Sequence, residues 1–521
     1  MVVHDFLIAE AQDNIRIGLY MNYVTGTKLY DYIQCPHRVW RDVYGPQEEK
    51  IKETNPFVQM LWDNGMAHEE KVVNTLGEYL DLRPGSYEER FKKTIKALKS
   101  GVPLVYQGVL IFENLRGIPD LIKRQPDGTY LPIEIKSGLG FEGETNEDDE
   151  DGKPKKHYSV QLALYIDLLE KLGFEHKNCG QIIDGHFNKA IYNLDKPFGV
   201  RDKITQWDFY QQVKNNVSLL LDNEAQNKPA YSGKCKLCPW SNSCKKWVKE
   251  NNDLTGLFNV GGKWRDIINE DLGIFKIKDI VKLDIDELLE QKKKDKNFLK
   301  NLGKTRLEDI KRRANIIINI KKPVLREKFI LPDVKFELFF DIEDDPTQDF
   351  IYFHGVYERT AKSKKFLKFI AKNNTKEAEK RAWNDFWEYI RSLPKDDFAV
   401  YYYSHHEKTT YRAMQKEYPE VISENELEQF FNNPNVVDLF NIVKGKTDWP
   451  LPSYSIKELA VYLGFCWRDE TPSGALSIQW FNDYLKTKDE KILTRISEYN
   501  EDDCKATMVL KDELVKLNKL F

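Results

Sequence analysis

The chain has 521 residues, of which 31% are charged, 41% hydrophobic and 12% aromatic, so at roughly 100 to 200 residues per domain it holds about three to five folded units. Its 28 Gly and 21 Pro exclude a collagen-like or low-complexity chain, and no apolar run approaches the roughly 18 residues that cross a bilayer. The formal net charge of −4 excludes a protein that holds nucleic acid through bulk positive charge and leaves room only for focal basic surfaces.

Met1 to Tyr20 carries Asp5, Glu10, Asp13 and Arg16 among apolar residues, unlike a signal peptide, so a cytoplasmic location without membrane association is expected. The periodicity then divides the chain into residues 1–250, 251–328 and 329–521. In the first region Gly65-Met66-Ala67-His68-Glu69 falls in a helical pattern. Gly117 to Gly138 predicts two strands around the turn Pro126-Asp127-Gly128-Thr129. In the second strand Leu131, Ile133 and Ile135 alternate with Pro132, Glu134 and Lys136, so Glu134 and Lys136 share a face. Asp120, on the first strand, lies where its carboxylate can share a cation with Glu134. Two carboxylates bind a hard cation such as Mg²⁺ or Mn²⁺, and a neighbouring Lys orients or deprotonates the attacking water and offsets charge at phosphorus. The competing reading is an exposed hairpin whose polar face meets water.

Phe141 to Gly152 crowds acidic side chains together and reads as a solvated, mobile loop. The helical stretch Tyr158 to Leu172 puts Gln161 and Tyr165 at i and i+4, on a face that can lie against the hairpin and touch substrate backbone; His68 can reach the same cation. Cys235, Cys238 and Cys244 form a compact three-ligand set, with Cys35 the best fourth ligand, 200 residues upstream. Four thiolates suit an iron-sulfur cluster or zinc, and a cluster here is structural, because phosphodiester hydrolysis moves no electrons. Cys179, Cys466 and Cys504 have no partners at ligand spacing and read as core residues.

Between Lys292 and Lys322 stand 12 Lys plus Arg against 3 Asp plus Glu. Gly turns at Gly273 and Gly303 resemble helix-hairpin-helix elements, whose helix N-termini hold phosphates, with Lys304, Arg306, Lys311, Arg312 and Arg313 extending the contact. A solvated charged linker is the alternative. In the third region an apolar strand, Phe336 to Asp341, ends in Asp341-Ile342-Glu343, again two carboxylates on one face. Strands at Phe350 to Glu358 and Ser363 to Ala371, a helix at Thr375 to Ser392, a strand at Phe398 to Ser404, a helix from about His405 and a long last helix follow. Glu407 and Asp438 stand near strand ends, and Tyr499-Asn500-Glu501-Asp502-Asp503 lies on the last helix. Four carboxylates of this kind hold two cations about 4 Å apart.

Asp120, Glu134-Ile135-Lys136 and Gln161 to Tyr165 resemble the PD-(D/E)xK signature and QxxxY helix of the RecB nuclease family. That resemblance implies that His68, Asp120, Glu134 and the carbonyl of Ile135 bind metal and that Lys136 serves the water. Cys35 with Cys235, Cys238 and Cys244 resembles the iron-sulfur branch of the family, which implies a 4Fe-4S cluster in preference to zinc. The strand order of the third region, with Asp341 and Glu343 as first motif and Tyr499 with Asp503 as a YxxxD third motif, resembles the ribonuclease H-like fold of DnaQ-type 3'-5' exonucleases. Glu407 then stands where an Asp is usual, with Asp438 a further candidate ligand, and Tyr499 orients the water.

The expected architecture is therefore α/β and multidomain: a RecB-like nuclease domain at 1–250, a helix-hairpin-helix-like region at 251–328 and a ribonuclease H-like domain at 329–521. The expected function is metal-dependent hydrolysis of nucleic acid, DNA more than RNA, on single strands or ends, in processing, repair or defence, with any helicase acting as a separate partner. The alternative is a nucleic-acid-binding scaffold with one active nuclease site or none.

Overall fold

A computed structural model describes residues 22–52, 55–142, 152–200, 202–225 and 227–520. The chain divides into two units, Met1–Pro229 with Gly233–Ser243, and Ala230–Ser232 with Cys244–Phe521. Most of the expected mobile loop, 143–151, lies outside the described residues; beside it Phe141–Glu142 and Lys153–Pro154 pair antiparallel. Among the described residues no helix is long and apolar enough to cross a membrane.

The first unit is built on a six-stranded sheet in the order Lys189–Asn193, Cys179–Ile183, Tyr130–Ile135, Leu121–Arg124, Leu104–Tyr106, Leu80–Asp81. Its central hairpin forms where the residue pattern places it: Gly128 takes φ +87°, and the Asp127 carboxylate accepts the Thr129 backbone N–H and hydroxyl at 3.2 and 2.7 Å. Leu121 pairs with Ile133 and Ile122 with Pro132. The first strand is shorter than its sequence suggests. Asp120 sits just before it, and Leu115–Gly117 joins a separate three-stranded sheet with Val24–Thr25 and Leu110–Phe112.

Cys179–Ile183 adds parallel to Tyr130–Ile135, which requires a crossover. The helix Lys156–Lys171 supplies it. This helix is apolar nearly all round, with Leu162, Ala163, Leu164, Ile166, Leu168 and Leu169 fully buried, so it runs through the core and packs against the helices Gly26–Gln34 and Gln206–Leu221. Its burial holds Gln161 and Tyr165 against the hairpin.

The second unit centres on a five-stranded sheet in the order Lys364–Ile370, Phe350–Arg359, Phe336–Asp345, Phe398–Tyr402, Val436–Asp438. The first three strands form an antiparallel meander and the last two add parallel. The helix Lys376–Ser392 packs Trp383, Phe386 and Trp387 on the sheet, and the long helix Glu490–Leu520 crosses the strands Phe336–Asp345 and Phe350–Arg359. The strand expected to reach Ser404 stops at Tyr402. Ser404 turns at φ +98° and donates its N–H to Asp438 Oδ1 at 3.0 Å, re-aiming the chain into the helix His406–Glu417.

The basic segment, which falls in this second unit, uses part of its charge internally, while most of its lysines are exposed. Asp448 is fully buried and ion-paired to Arg312, Arg313 at 3.5 Å and Arg326 at 3.3 Å. A buried carboxylate demands such partners, so these arginines anchor Asp448. Arg306 lies over the Trp264 ring at 3.7 Å, and Lys311 donates to the Leu283 carbonyl at 2.7 Å. Gly303 precedes the helix Lys304–Asn315, and Gly273 ends the helix Gly262–Leu272 with φ +64°, ahead of the short helix Ile277–Ile280. Cys504 is buried as expected. Cys466 is exposed and Cys179 half-buried, so neither is a core thiol.

Candidate active sites

In the first unit Asp120, Glu134 and Lys136 converge. Asp120 Oδ2 accepts the Ile135 N–H at 2.8 Å, which locks the residue before one strand onto the end of the other. Glu134 Oε2 pairs with Lys136 Nζ at 2.9 Å, and Glu134 Oε1 accepts both Gln161 Nε2 at 2.9 Å and the Tyr165 hydroxyl. Gln161 and Tyr165 thus hold the Glu134 carboxylate in place. His68, on the helix Pro56–Val73, is buried, and its Nε2 has no hydrogen-bond partner.

Burial first, then the charges of Glu134 and Glu69, push the Asp120 carboxyl well above its usual range, with Lys136 opposing. Burial lowers the proton affinity of Lys136, but Glu134 and Asp120 more than reverse that and keep it an ammonium. Of the three roles expected for Lys136, orienting water and offsetting charge fit an ammonium. The crowded Asp120 and Glu134 carboxylates suit a divalent cation, but His68 does not join them in a three-ligand group within 4.8 Å.

In the second unit Asp341, Glu343 and Asp503 bring ligand oxygens within 4.8 Å of one another, the one such three-ligand group among the described residues. Asp341 and Glu343 share a face of the strand Phe336–Asp345, opposite Gly355 and Phe353, and a bulge after Glu343 ends that face. Asp503 comes from the long helix. Burial first, then the charge of Asp503, raises the Asp341 and Glu343 carboxyls; burial also raises Asp503, with Lys457 opposing. Glu407 lies in the first turn of the helix His406–Glu417, buried, with its Oε2 unpartnered, and its charge acts on Asp341. Asp438 caps the helix Leu439–Lys446 through its Oδ1 and stands outside the three-ligand group. The Tyr499 hydroxyl accepts from Lys457 Nζ at 2.8 Å.

Cys35, Cys235 and Cys238 lie within electrostatic reach of one another in the first unit, and burial raises the Cys35 and Cys238 thiols. Cys244 sits in the helix Ser241–Glu250, the first residue of the second unit's stretch.

Residues 34–245 match the family model of the PD-(D/E)XK nuclease superfamily, and residues 338–515 match that of the RNase_H superfamily. The chain carries a domain of each. No curated protein matches it. A solved structure titled "Crystal structure of SSO0001" is 16% identical, with 47% of this chain and 97% of that chain covered and a TM-score of 0.22. The two superfamily domains support a metal-dependent nuclease that acts on nucleic acid, with Mg²⁺ or Mn²⁺ as the usual cations and the acidic group of the RNase H domain able to hold one.

Several residues of both sites are invisible to spacing. In the PD-(D/E)XK domain Gln107, in left-handed conformation at φ +55°, donates its amide to Asp120 Oδ1 at 2.8 Å and to Glu69 Oε1 at 2.9 Å, tying the His68 helix to the hairpin. In the RNase H domain Lys457, on the short helix Ile456–Tyr462, opposes the upward pKa shift of all three ligands and favours their ionised form. Asn500 Nδ2 donates to Asp341 Oδ2 at 2.8 Å and to Glu343 Oε1 at 3.1 Å. Asp502 is excluded from the site because Arg468 binds it through Nε and Nη2 at 2.8 to 3.0 Å.

Asn500 can cross the sheet only because residue 355 has no side chain: a Cβ there would lie 1.7 Å from Asn500 Oδ1. Gly355→Ala is expected to displace Asn500, weaken Mn²⁺ binding by the RNase H domain about 10- to 100-fold and cost about 1–3 kcal/mol of stability. Calorimetric Mn²⁺ titration and urea unfolding check this. Unchanged affinity would remove Asn500 from the site.

The same crowding makes stability depend on pH. Glu343 and Glu407 are each raised from about 4.5 to about 8, burial being the largest cause. A carboxyl that holds its proton more tightly when folded takes up protons on folding, so metal-free stability falls as pH rises from about 4.5 to about 8. Melting in EDTA is expected to show a lower Tm at the upper end of that window, with Mg²⁺ removing most of the fall and Glu343→Gln flattening it. The same pH slope in wild type and Glu343→Gln would contradict this.

Proposed function

We propose that the chain is an exonuclease with two active sites that degrades single-stranded DNA or DNA ends, the RNase H domain working in the 3'-5' direction. The observation that carries this reading is the convergence of Asp341, Glu343 and Asp503, ligand oxygens within 4.8 Å, in a buried pocket whose crowded like charge a bound cation would relieve. Asp341, Glu343 and Asp503, with Glu407 beside them, would hold two cations there. Bound cations supply an acidified water and charge to offset the leaving oxygen. The chain's own groups do the rest: Asn500 fixes the spacing of Asp341 and Glu343, and Tyr499, held by Lys457, orients the water.

In the PD-(D/E)XK domain His68, Asp120, Glu134 and the Ile135 carbonyl would hold the metal, with Gln161 and Tyr165 aligning Glu134. The Lys136 ammonium donates to the water or to the phosphate oxygen that gains charge. Cys35, Cys235 and Cys238, with Cys244 as fourth ligand by its spacing, would hold a 4Fe-4S cluster that stiffens the fold, and brown colour in the pure protein distinguishes it from zinc.

Incubation with 5'-labelled single strands and Mg²⁺ or Mn²⁺ tests the reading. Stepwise shortening from the 3' end, abolished by EDTA, is expected. Cleavage that survives EDTA, or no cleavage at all, would overturn it.

A further inference from the structure

Beyond the carboxylates of the PD-(D/E)XK domain, aromatic rings lead from Lys136 to the surface. Lys136 Nζ lies 5.8 Å from the centre of the Tyr158 ring. Tyr158 meets His157 edge to face at 4.4 Å, and His157 meets Tyr30 edge to face at 5.3 Å. Exposure rises along this series: Tyr158 and His157 are half-buried, and Tyr30 is 41% exposed.

The series has a fixed frame. Tyr30 belongs to the helix Gly26–Gln34, and His157 and Tyr158 to the first turn of Lys156–Lys171. The two helices meet where Gly26 lies against Gln161: a Cβ on residue 26 would be 3.1 Å from Gln161 Cγ. The residue that aligns Glu134 thus also sets where Tyr30 stands relative to the catalytic hairpin.

The surroundings are basic. Lys155, Lys136 and Lys234 all act on His157, and Lys155 Nζ is 5.1 Å from the Tyr158 ring. Burial, with these lysines, holds His157 down to about 4, so at neutral pH it is an uncharged flat ring. Rings interleaved with cations are how proteins hold unpaired strands without reading sequence: each base offers a π-face, and the phosphates follow the positive charge. A duplex keeps its bases stacked inside and offers these rings nothing.

We propose that Tyr158, His157 and Tyr30 form a stacking path that guides an unpaired nucleic-acid strand to Lys136, with the outermost base on Tyr30 and its phosphates along Lys155 and Lys234. The proposal rests on the nuclease reading of this domain and adds to it the structural basis for choosing single strands.

The test is binding in Ca²⁺, a divalent cation used here to hold cleavage back, followed by fluorescence anisotropy of labelled oligothymidylate, oligouridylate and a blunt duplex. Tyr30→Leu removes the ring and keeps an apolar surface residue; Tyr30→Phe keeps the ring; His157→Leu interrupts the middle of the path. Tyr30→Leu and His157→Leu are each expected to weaken single-strand binding about tenfold, with Tyr30→Phe like wild type and duplex binding unchanged. Wild-type affinity in Tyr30→Leu, or equal losses on single strand and duplex, would overturn the proposal while leaving the nuclease reading standing. A wild-type protein that neither binds nor cleaves any of the three would overturn both.

Discussion

Lys136→Ala is expected to slow cleavage by the PD-(D/E)XK domain by about 10²- to 10⁴-fold, the range for losing a positioned proton donor at the reacting centre. To isolate that domain, the rate is measured in a protein whose RNase H site already carries Asp503→Ala. The size of the effect follows from what surrounds the ammonium. Glu134 and Asp120 hold it charged in a half-buried site, so its field reaches the developing phosphate charge with less screening than at an open surface. The substitution also strips two carboxylates of their counter-charge, so Lys136→Met, which keeps most of the apolar stem, serves as a second variant. Both are expected to remain folded by circular dichroism. A loss of less than about threefold in both would remove Lys136 from the chemistry.

Asp341→Ala, measured beside Asp120→Ala, is expected to slow the RNase H domain about a thousandfold, because several kcal/mol of charge stabilisation leave with the cation and each 1.4 kcal/mol is tenfold. Catalytic loss and fold loss move in opposite directions here. Asp341 repels Glu343 and Asp503 in a buried site, so its removal relieves strain that exists whenever the cation is absent. The variant is therefore expected to melt higher than its parent in EDTA and to gain less from added Mg²⁺. A lower Tm in EDTA would mean that Asp341 is a structural group, with its activity loss explained by unfolding.

Local pattern made a good part of both sites legible. Pro126 to Thr129 is a turn by residue type, and alternation then fixes which residues share a face, so Glu134 and Lys136 could be paired, and Asp341 with Glu343 likewise. The i, i+4 spacing put Gln161 with Tyr165 but could not say what they touch, because that depends on a helix buried on nearly every side. Long-range contacts were not legible at all. Gly355 is one glycine in an apolar strand until the long helix is laid across it and Asn500 fills the space of its missing side chain. Lys457 and Gln107 carry no spacing signal, since each meets its carboxylates through tertiary packing.

Composition misled where charge was concentrated. The run of lysines and arginines from Lys292 to Lys322 suggests a face turned outward, yet Arg312 and Arg313 turn inward because Asp448, an unremarked acid some 130 residues later, is buried and must be neutralised. The YxxxD spacing points to Asp503 rather than Asp502, and tertiary contacts separate the two in the same way. Adjacent residues on a helix face about 100° apart, and Arg468, 34 residues upstream of Asp502, claims that carboxylate while Trp467 Nε1 holds Asp503 Oδ1 at 2.8 Å.

The most direct measurement is the rate at which the Lys136→Ala/Asp341→Ala double variant releases nucleotides from a labelled single strand in Mg²⁺ or Mn²⁺, beside wild type and each single variant. Release at the level of the enzyme-free control in the double variant, with each single variant retaining part of the wild-type rate, is the expected result. Undiminished release by the double variant would mean that the bonds are broken somewhere other than at these carboxylates.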